Sequence, residues 1–133
     1  ADADAGIDAE VKAFFHDMAS RYRRADLVVC RAGATTVAEL TSLGKAALFV
    51  PYPYAADNHQ EFNAKALVDA GAAQMELERD LSGAELAGRL DRLAQNPAML
   101  ADMAALSKTL GRPGAARFIV NDCYELIGSE PCT

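Results

Sequence analysis

Leu27-Val28-Val29-Cys30-Arg31-Ala32-Gly33-Ala34-Thr35-Thr36-Val37-Ala38-Glu39-Leu40 runs from an unbroken apolar stretch, through a small-residue turn, into a helical pattern. An apolar run of this kind is the signature of a strand covered on both faces. A helix that opens directly from the following turn leaves several backbone N–H groups unpaired at its N-terminus, where the macrodipole also favours negative charge. The turn is therefore a place to hold a phosphate. Glu39 follows Thr36 by three positions and shares its helix face, so a carboxylate one turn in is set to accept hydrogen bonds from a sugar diol. The same two residues also fit a capping box, in which a Thr hydroxyl accepts from the N–H three residues on and the Glu reaches back. Neither GxGxxG nor GxxxxGK(S/T) occurs, which removes the common dinucleotide and P-loop signatures.

Around this stretch, strands and helices alternate. Residues 10–15 read as a short strand, 16–24 as a short helix with Met18 and Tyr22 four apart, and 26–30 as the buried strand. A helix over 36–43 is stopped by Gly44, and a second buried strand over 46–50 is broken by Pro51 and Pro53. A helix over 58–70, ended by Gly71, leads to a last short strand at 73–77. From there the chain reads as helical. Ser82-Gly83-Ala84-Glu85 is a capping box followed by the apolar stripe Leu86, Leu90 and Leu93. Pro97 restarts a helix carrying Leu100, Met103 and Leu106 that Gly111 stops, and Pro113-Gly114 introduces a final helix over 115–127. Met99 and Met103 read as core filling, and Ser129-Glu130-Pro131-Cys132-Thr133 as a frayed tail.

The alternation predicts an α/β fold, a Rossmann-like parallel sheet with helices on both faces that ends in a helical segment. Ligands in such sheets bind beyond the carboxyl ends of the strands. Two loops leave those ends, at 31–36 and 51–60.

With 133 residues, half of them hydrophobic, the chain is about one domain. Its formal charge of −6 argues against nonspecific nucleic-acid binding, and Arg21-Tyr22-Arg23-Arg24 reads as a solvated face. No apolar run reaches the ~18–20 residues of a membrane span. Cys30, Cys123 and Cys132 lack CxxC spacing, which points to a reducing, cytoplasmic setting, with Cys30 a small buried hydrophobe. No secretory signal opens the sequence.

Asp57-Asn58-His59-Gln60 forms a second polar cluster, and Asn63 follows His59 by four and Gln60 by three. At helical spacing His59, Gln60 and Asn63 project from one face, offering neutral donors and acceptors to sugar hydroxyls. Alternatively Asp57 or Asn58 is an N-cap and the rest is polar surface. His16 and His59 have no carboxylate or thiol at ligand spacing, so no metal site is expected. Neither His has a defined partner for a nucleophilic triad, so no catalytic residue is assigned.

Four blocks in register resemble the carboxyl-terminal, donor-binding domain of the MurG family of N-acetylglucosaminyltransferases, glycosyltransferase family 28. They are Val11-Lys12-Ala13-Phe14-Phe15-His16-Asp17-Met18, the run from Ala25 to Glu39, Ala47-Leu48-Phe49-Val50-Pro51-Tyr52-Pro53, and Asp57-Asn58-His59-Gln60-Glu61-Phe62-Asn63-Ala64. The match is tight from Val11 to Gln74 and looser to the end. Position 16 is often acidic in the family and is His here, and position 35 is Thr where some members have Leu.

The resemblance implies a GT-B fold, two Rossmann-like domains facing across a cleft, of which residues 1–133 are part of the second. Residues 10–78 would form its β/α portion and 82–127 its helical portion. It further implies UDP-N-acetylglucosamine as the donor, no cofactor, and inverting transfer to a lipid-linked muramoyl-pentapeptide in peptidoglycan synthesis. By the same resemblance the backbone at Phe15 reads the uracil edge. Arg31, Gly33, Ala34, Thr35, Thr36, Val37 and Ala38 lie along the phosphates and sugar, Glu39 meets the ribose, and His59, Gln60 and Asn63 meet the N-acetylglucosamine. The family's amino-terminal acceptor domain and a Gly-Gly-Ser phosphate loop are not in these residues, so the chain is expected to be a fragment or one polypeptide of a split enzyme. The intact enzyme would sit peripherally on the cytoplasmic face of the inner membrane, with the last helix docking on the acceptor domain. Two other readings stay open: the donor-binding subunit of another lipid-acceptor UDP-glycosyltransferase, and a non-catalytic nucleotide-binding or interaction module.

Overall fold

A computed structural model describes residues 6–128; the tail at 129–133, Cys132 with it, lies outside the described residues. The elements in chain order are α1 (Met18–Arg24), β1 (Leu27–Cys30), α2 (Ala34–Leu43), β2 (Ala46–Phe49), α3 (His59–Asp69), β3 (Ala73–Met75), α4 (Gly83–Ala94), α5 (Pro97–Leu110) and α6 (Ala115–Leu126). Short 3-10 turns occupy Ala56–Asn58 and Glu78–Asp80.

The three strands pair in parallel in the order β1-β2-β3, with Val28 opposite Ala47 and Leu48 opposite Gln74. β2 is central and buried throughout, which is why Ala-Ala-Leu-Phe shows no alternation. Its two faces are covered by different helices. Ala47 and Phe49 pack with Leu40 of α2, Ala64 and Leu67 of α3, and Ala73 of β3. Ala46 packs on the other side with Leu93 of α4 and Met103 of α5. The predicted two-sided α/β sheet is therefore present, with helices on both faces.

Local stops do much of the positioning. Gly44, at φ 65°, closes α2 in the left-handed conformation, and the N–H of Lys45 returns to the carbonyl of Leu40 at 3.0 Å. The Ser82 and Glu85 capping box opens α4 as predicted: Glu85 N–H donates to Ser82 Oγ at 3.2 Å and Ser82 N–H to Glu85 Oε2 at 2.7 Å. α6 buries none of its residues; Phe118, Ile119 and Leu126 are exposed.

Residues 10–15 do not form the predicted strand. A strand needs a partner for its backbone, and here side-chain contacts hold the segment instead. Arg21 of α1 pairs with Glu10 at 2.8 Å and with Asp17 at 2.8 Å, while its guanidinium lies 3.9 Å from the centroid of the Phe15 ring. Lys12 also pairs with Glu10. Val11 and Phe14, 83% and 70% exposed, face outward.

Candidate functional site

The site is assembled where β1 and β2 end. α2 begins at Ala34, two residues earlier than predicted, with Gly33 at the N-cap position in extended conformation and no side-chain cap. Thr36 is therefore the third residue inside the helix, and the capping box expected of Thr36 and Glu39 does not form. The cause is local: Gly33 itself supplies the extended residue that a helix entry needs, and its carbonyl already accepts the N–H of Val37 at 3.0 Å. No side chain competes for the N–H groups of Ala34, Thr35 and Thr36, which suit an anion.

The loop after β2 is drawn against this turn by α3. Gln60 Oε1 accepts from the N–H of Ala32 at 3.2 Å and from the N–H of Tyr52 at 3.0 Å. Asn63 Nδ2 donates to the carbonyl of Ala32 at 3.0 Å. Ala32 is fully buried, so both its backbone polar groups depend on these amides. Asp57 and Asn58, at φ 52° and 54°, adopt the left-handed conformation that turns the chain into α3. Asn58 occupies the N-cap position of α3 without a side-chain cap bond. His59 is exposed at the start of the helix.

Arg31 leaves the end of β1 and crosses the end of β2. Its Nη1 donates to the carbonyls of Val50 at 3.2 Å and Pro51 at 3.3 Å, and Nη2 reaches Glu78 at 3.0 Å. The guanidinium also stands 5.7 Å from the centroid of the Tyr52 ring. The charge of Arg31 thus lies at the carboxyl ends of the strands, already strapped to the loop after β2 and to the turn after β3.

Glu39 sits elsewhere on α2. It is exposed and lines a groove of about 470 Å³ between α1 and α2, with Met18, Tyr22, Thr35 and Ala38 around it. Burial, with the Glu39 carboxylate a smaller contributor, raises the pKa of the Tyr22 phenol. Tyr22 and Met18 were not among the predicted site residues; their i,i+4 spacing on α1 was the available signal. Val37 packs against the core, so its backbone is what it can offer a ligand. Phe15 is half-buried in the segment held by Arg21.

The structure therefore brings together the 31–36 turn with Gln60 and Asn63, and separately Thr35, Ala38 and Glu39 with α1. A larger cleft, about 690 Å³, opens at the amino ends of β1 and β2 among Leu27, Lys45, Leu90 and Leu100. It lies at the end of the sheet opposite the uncapped helix terminus and is lined largely by apolar side chains. Cys30 is held by burial at a pKa of about 11, well above a reactive thiol's. Among the described residues no three His, Cys, Asp or Glu side chains are placed to hold a metal ion.

Comparison with known proteins places these features in a family setting. The profile of the glycosyltransferase family 28 C-terminal domain matches residues 2–118. A UDP-N-acetylglucosamine--N-acetylmuramyl-(pentapeptide) pyrophosphoryl-undecaprenol N-acetylglucosamine transferase of Myxococcus xanthus is 51% identical over 125 residues, which is 94% of this chain and 33% of the relative. The protein of the same name from Pelobacter propionicus is 52% identical over 118 residues, 89% of this chain and 31% of its own length. The crystal structure of Acinetobacter baumannii MurG superposes with a TM-score of 0.84 at 39% identity, covering 94% of this chain and 36% of that one. The chain spans about a third of the length of the curated relatives it matches.

Proposed function

Because the chain belongs to glycosyltransferase family 28, whose C-terminal domain profile it matches over residues 2–118, we propose that it binds UDP-N-acetylglucosamine as the donor part of an inverting N-acetylglucosaminyltransferase. The observation that carries this reading is the meeting, at the carboxyl ends of β1 and β2, of an uncapped helix N-terminus with two side-chain amides anchored on the same turn. The diphosphate lies along the N–H groups of residues 34–36. Glu39 takes the ribose hydroxyls at the rim of its groove, and the backbone at Phe15 meets the uracil edge. His59, Gln60 and Asn63 face the sugar.

The acceptor in this reading is the one its relatives' names describe, a lipid-linked N-acetylmuramyl-pentapeptide. Its C4 hydroxyl attacks the anomeric carbon with inversion, the bond to the diphosphate breaks, and UDP departs. Charge growing on the leaving diphosphate falls on donors and a dipole already oriented at the start of α2, so little reorganisation accompanies the step. The proton of the attacking hydroxyl goes to a base on the acceptor side. α6, with its exposed apolar residues, docks on an acceptor domain that sits at the cytoplasmic face of the inner membrane; among the described residues no helix is long and apolar enough to cross a membrane.

Calorimetric titration tests the reading. Saturable binding of UDP-N-acetylglucosamine, displaced by UDP and not by ADP, is expected. Absence of any saturable uridine-nucleotide binding contradicts it.

A further inference from the structure

α1 and α2 end at the same end of the sheet, because each leads into one of two parallel neighbours, β1 and β2. They close differently. Gly44 ends α2 in the left-handed conformation, and the N–H of Lys45 bonds the Leu40 carbonyl at 3.0 Å. α1 has no such residue: Ala25 at its end is extended, with φ −74° and ψ 138°. The N–H of Ala25 serves the carbonyls of Arg21 and Tyr22 at 3.0 and 3.3 Å, and later carbonyls need a donor from outside the helix. Lys45 supplies one. Its Nζ donates to the carbonyls of Arg23 at 2.8 Å and Ala25 at 3.1 Å, 22 and 20 residues away in sequence. The cation also stands where the dipole of α1 is negative.

One residue thus closes both helices, α2 through its backbone and α1 through its ammonium. α1 depends on such a hold: it is seven residues long and buries none of them, and a helix that short is not stable alone in water. Between the two helices runs the groove of about 470 Å³, lined by Met18 and Tyr22 from α1 and by Thr35, Glu39 and Ser42 from α2. We infer that Lys45 is a positioning residue for this groove, setting where α1 stands against α2 and with it the fit of the nucleoside half of the donor. The inference rests on the donor-site reading, in which Glu39 takes the ribose at the rim. Lys45 acts through Met18 and Tyr22 rather than by touching the ligand. The diphosphate, at the start of α2, lies at the other end of that helix and does not depend on it. The two halves of the donor therefore respond differently to the loss of the ammonium.

Lys45→Met removes the ammonium and keeps an unbranched stem beside the amino-end cleft that Lys45 lines; Lys45→Arg keeps a cation and its donors. Carbon NMR at the Arg23 and Ala25 carbonyls reads the cap without any ligand. Both signals are expected to move upfield in Lys45→Met and to stay near the parent positions in Lys45→Arg; unmoved carbonyls in Lys45→Met overturn the cap. Calorimetry with UDP, at a temperature where all three chains are folded, reads the groove. Affinity is expected to fall roughly fivefold in Lys45→Met and to return to within about twofold of the parent in Lys45→Arg. Inorganic pyrophosphate, followed by the amide shifts of Ala34, Thr35 and Thr36, is expected to titrate alike in all three. An equal loss for both ligands, an unchanged UDP affinity in Lys45→Met, or no recovery in Lys45→Arg overturns the positioning role. A parent chain that binds no UDP removes the donor-site reading and the groove's part in it, while the carbonyl shifts still decide the cap.

Discussion

A Cβ on Gly111 would stand 2.4 Å from the carbonyl oxygen of Thr41, because the chain leaving α5 lies directly on the backbone of the last turn of α2. Thr41 and Ser42 present backbone atoms there, which cannot swing aside as a side chain would. Gly111→Ala is therefore expected to destabilise the fold by about 1–3 kcal/mol through overpacking. Chemical denaturation checks this. A variant as stable as the parent would mean that α5 and α2 separate at little cost.

Glu39 is the sixth residue of α2, beyond the reach of its uncapped N-terminus. Glu39→Ala is expected to leave the melting temperature close to that of the parent, Ala being at least as good a helix former. Loss of a charge-assisted hydrogen bond to the ribose should weaken UDP binding by about 1.5–3 kcal/mol. Parallel melting and calorimetry separate the two effects. Lower stability with unchanged UDP affinity would assign Glu39 to the fold.

Glu10 is held at a pKa of about 2, below its ordinary 4.5, chiefly by its hydrogen bond with Arg21 and then by Lys12. Because the folded value lies below the unfolded one, the contact contributes fully above about pH 4.5 and is lost as the pH falls toward 2. The pairs are exposed, so added salt weakens them. Following the Glu10 carboxyl carbon by NMR should give a midpoint near 2 that returns toward 4.5 in Arg21→Ala. An unshifted midpoint in the parent would mean that the segment holding Phe15 is not pinned as described.

What could be read from the sequence follows the range of the interactions concerned. β1 and β2 were visible because burial on both faces writes an unbroken apolar run, and Gly44, Gly111 and the Ser82 and Glu85 box mark helix ends through chemistry a few residues long. Residues 10–15 misled because a short segment can read as a strand even where, among the described residues, no edge pairs with it. Thr36 misled because its spacing to Glu39 fits a cap, although Gly33 had already started the helix. The helical spacing of Gln60 and Asn63 was legible, yet their attachment to Ala32, 28 and 31 residues away, was not. Arg31 was assigned to the ligand through the family resemblance, while its contact with Glu78 spans 47 residues and could not be read locally.

The central claim is that a uridine diphosphate sugar binds beyond the carboxyl ends of β1 and β2, and backbone chemical-shift mapping with UDP-N-acetylglucosamine tests it most directly. The account predicts saturable perturbations at residues 31–39, at 58–63 and around Phe15, with α4 and the 690 Å³ cleft at the amino ends of the strands unaffected. Perturbations confined to α4, α5 and α6, or to that cleft, would contradict it.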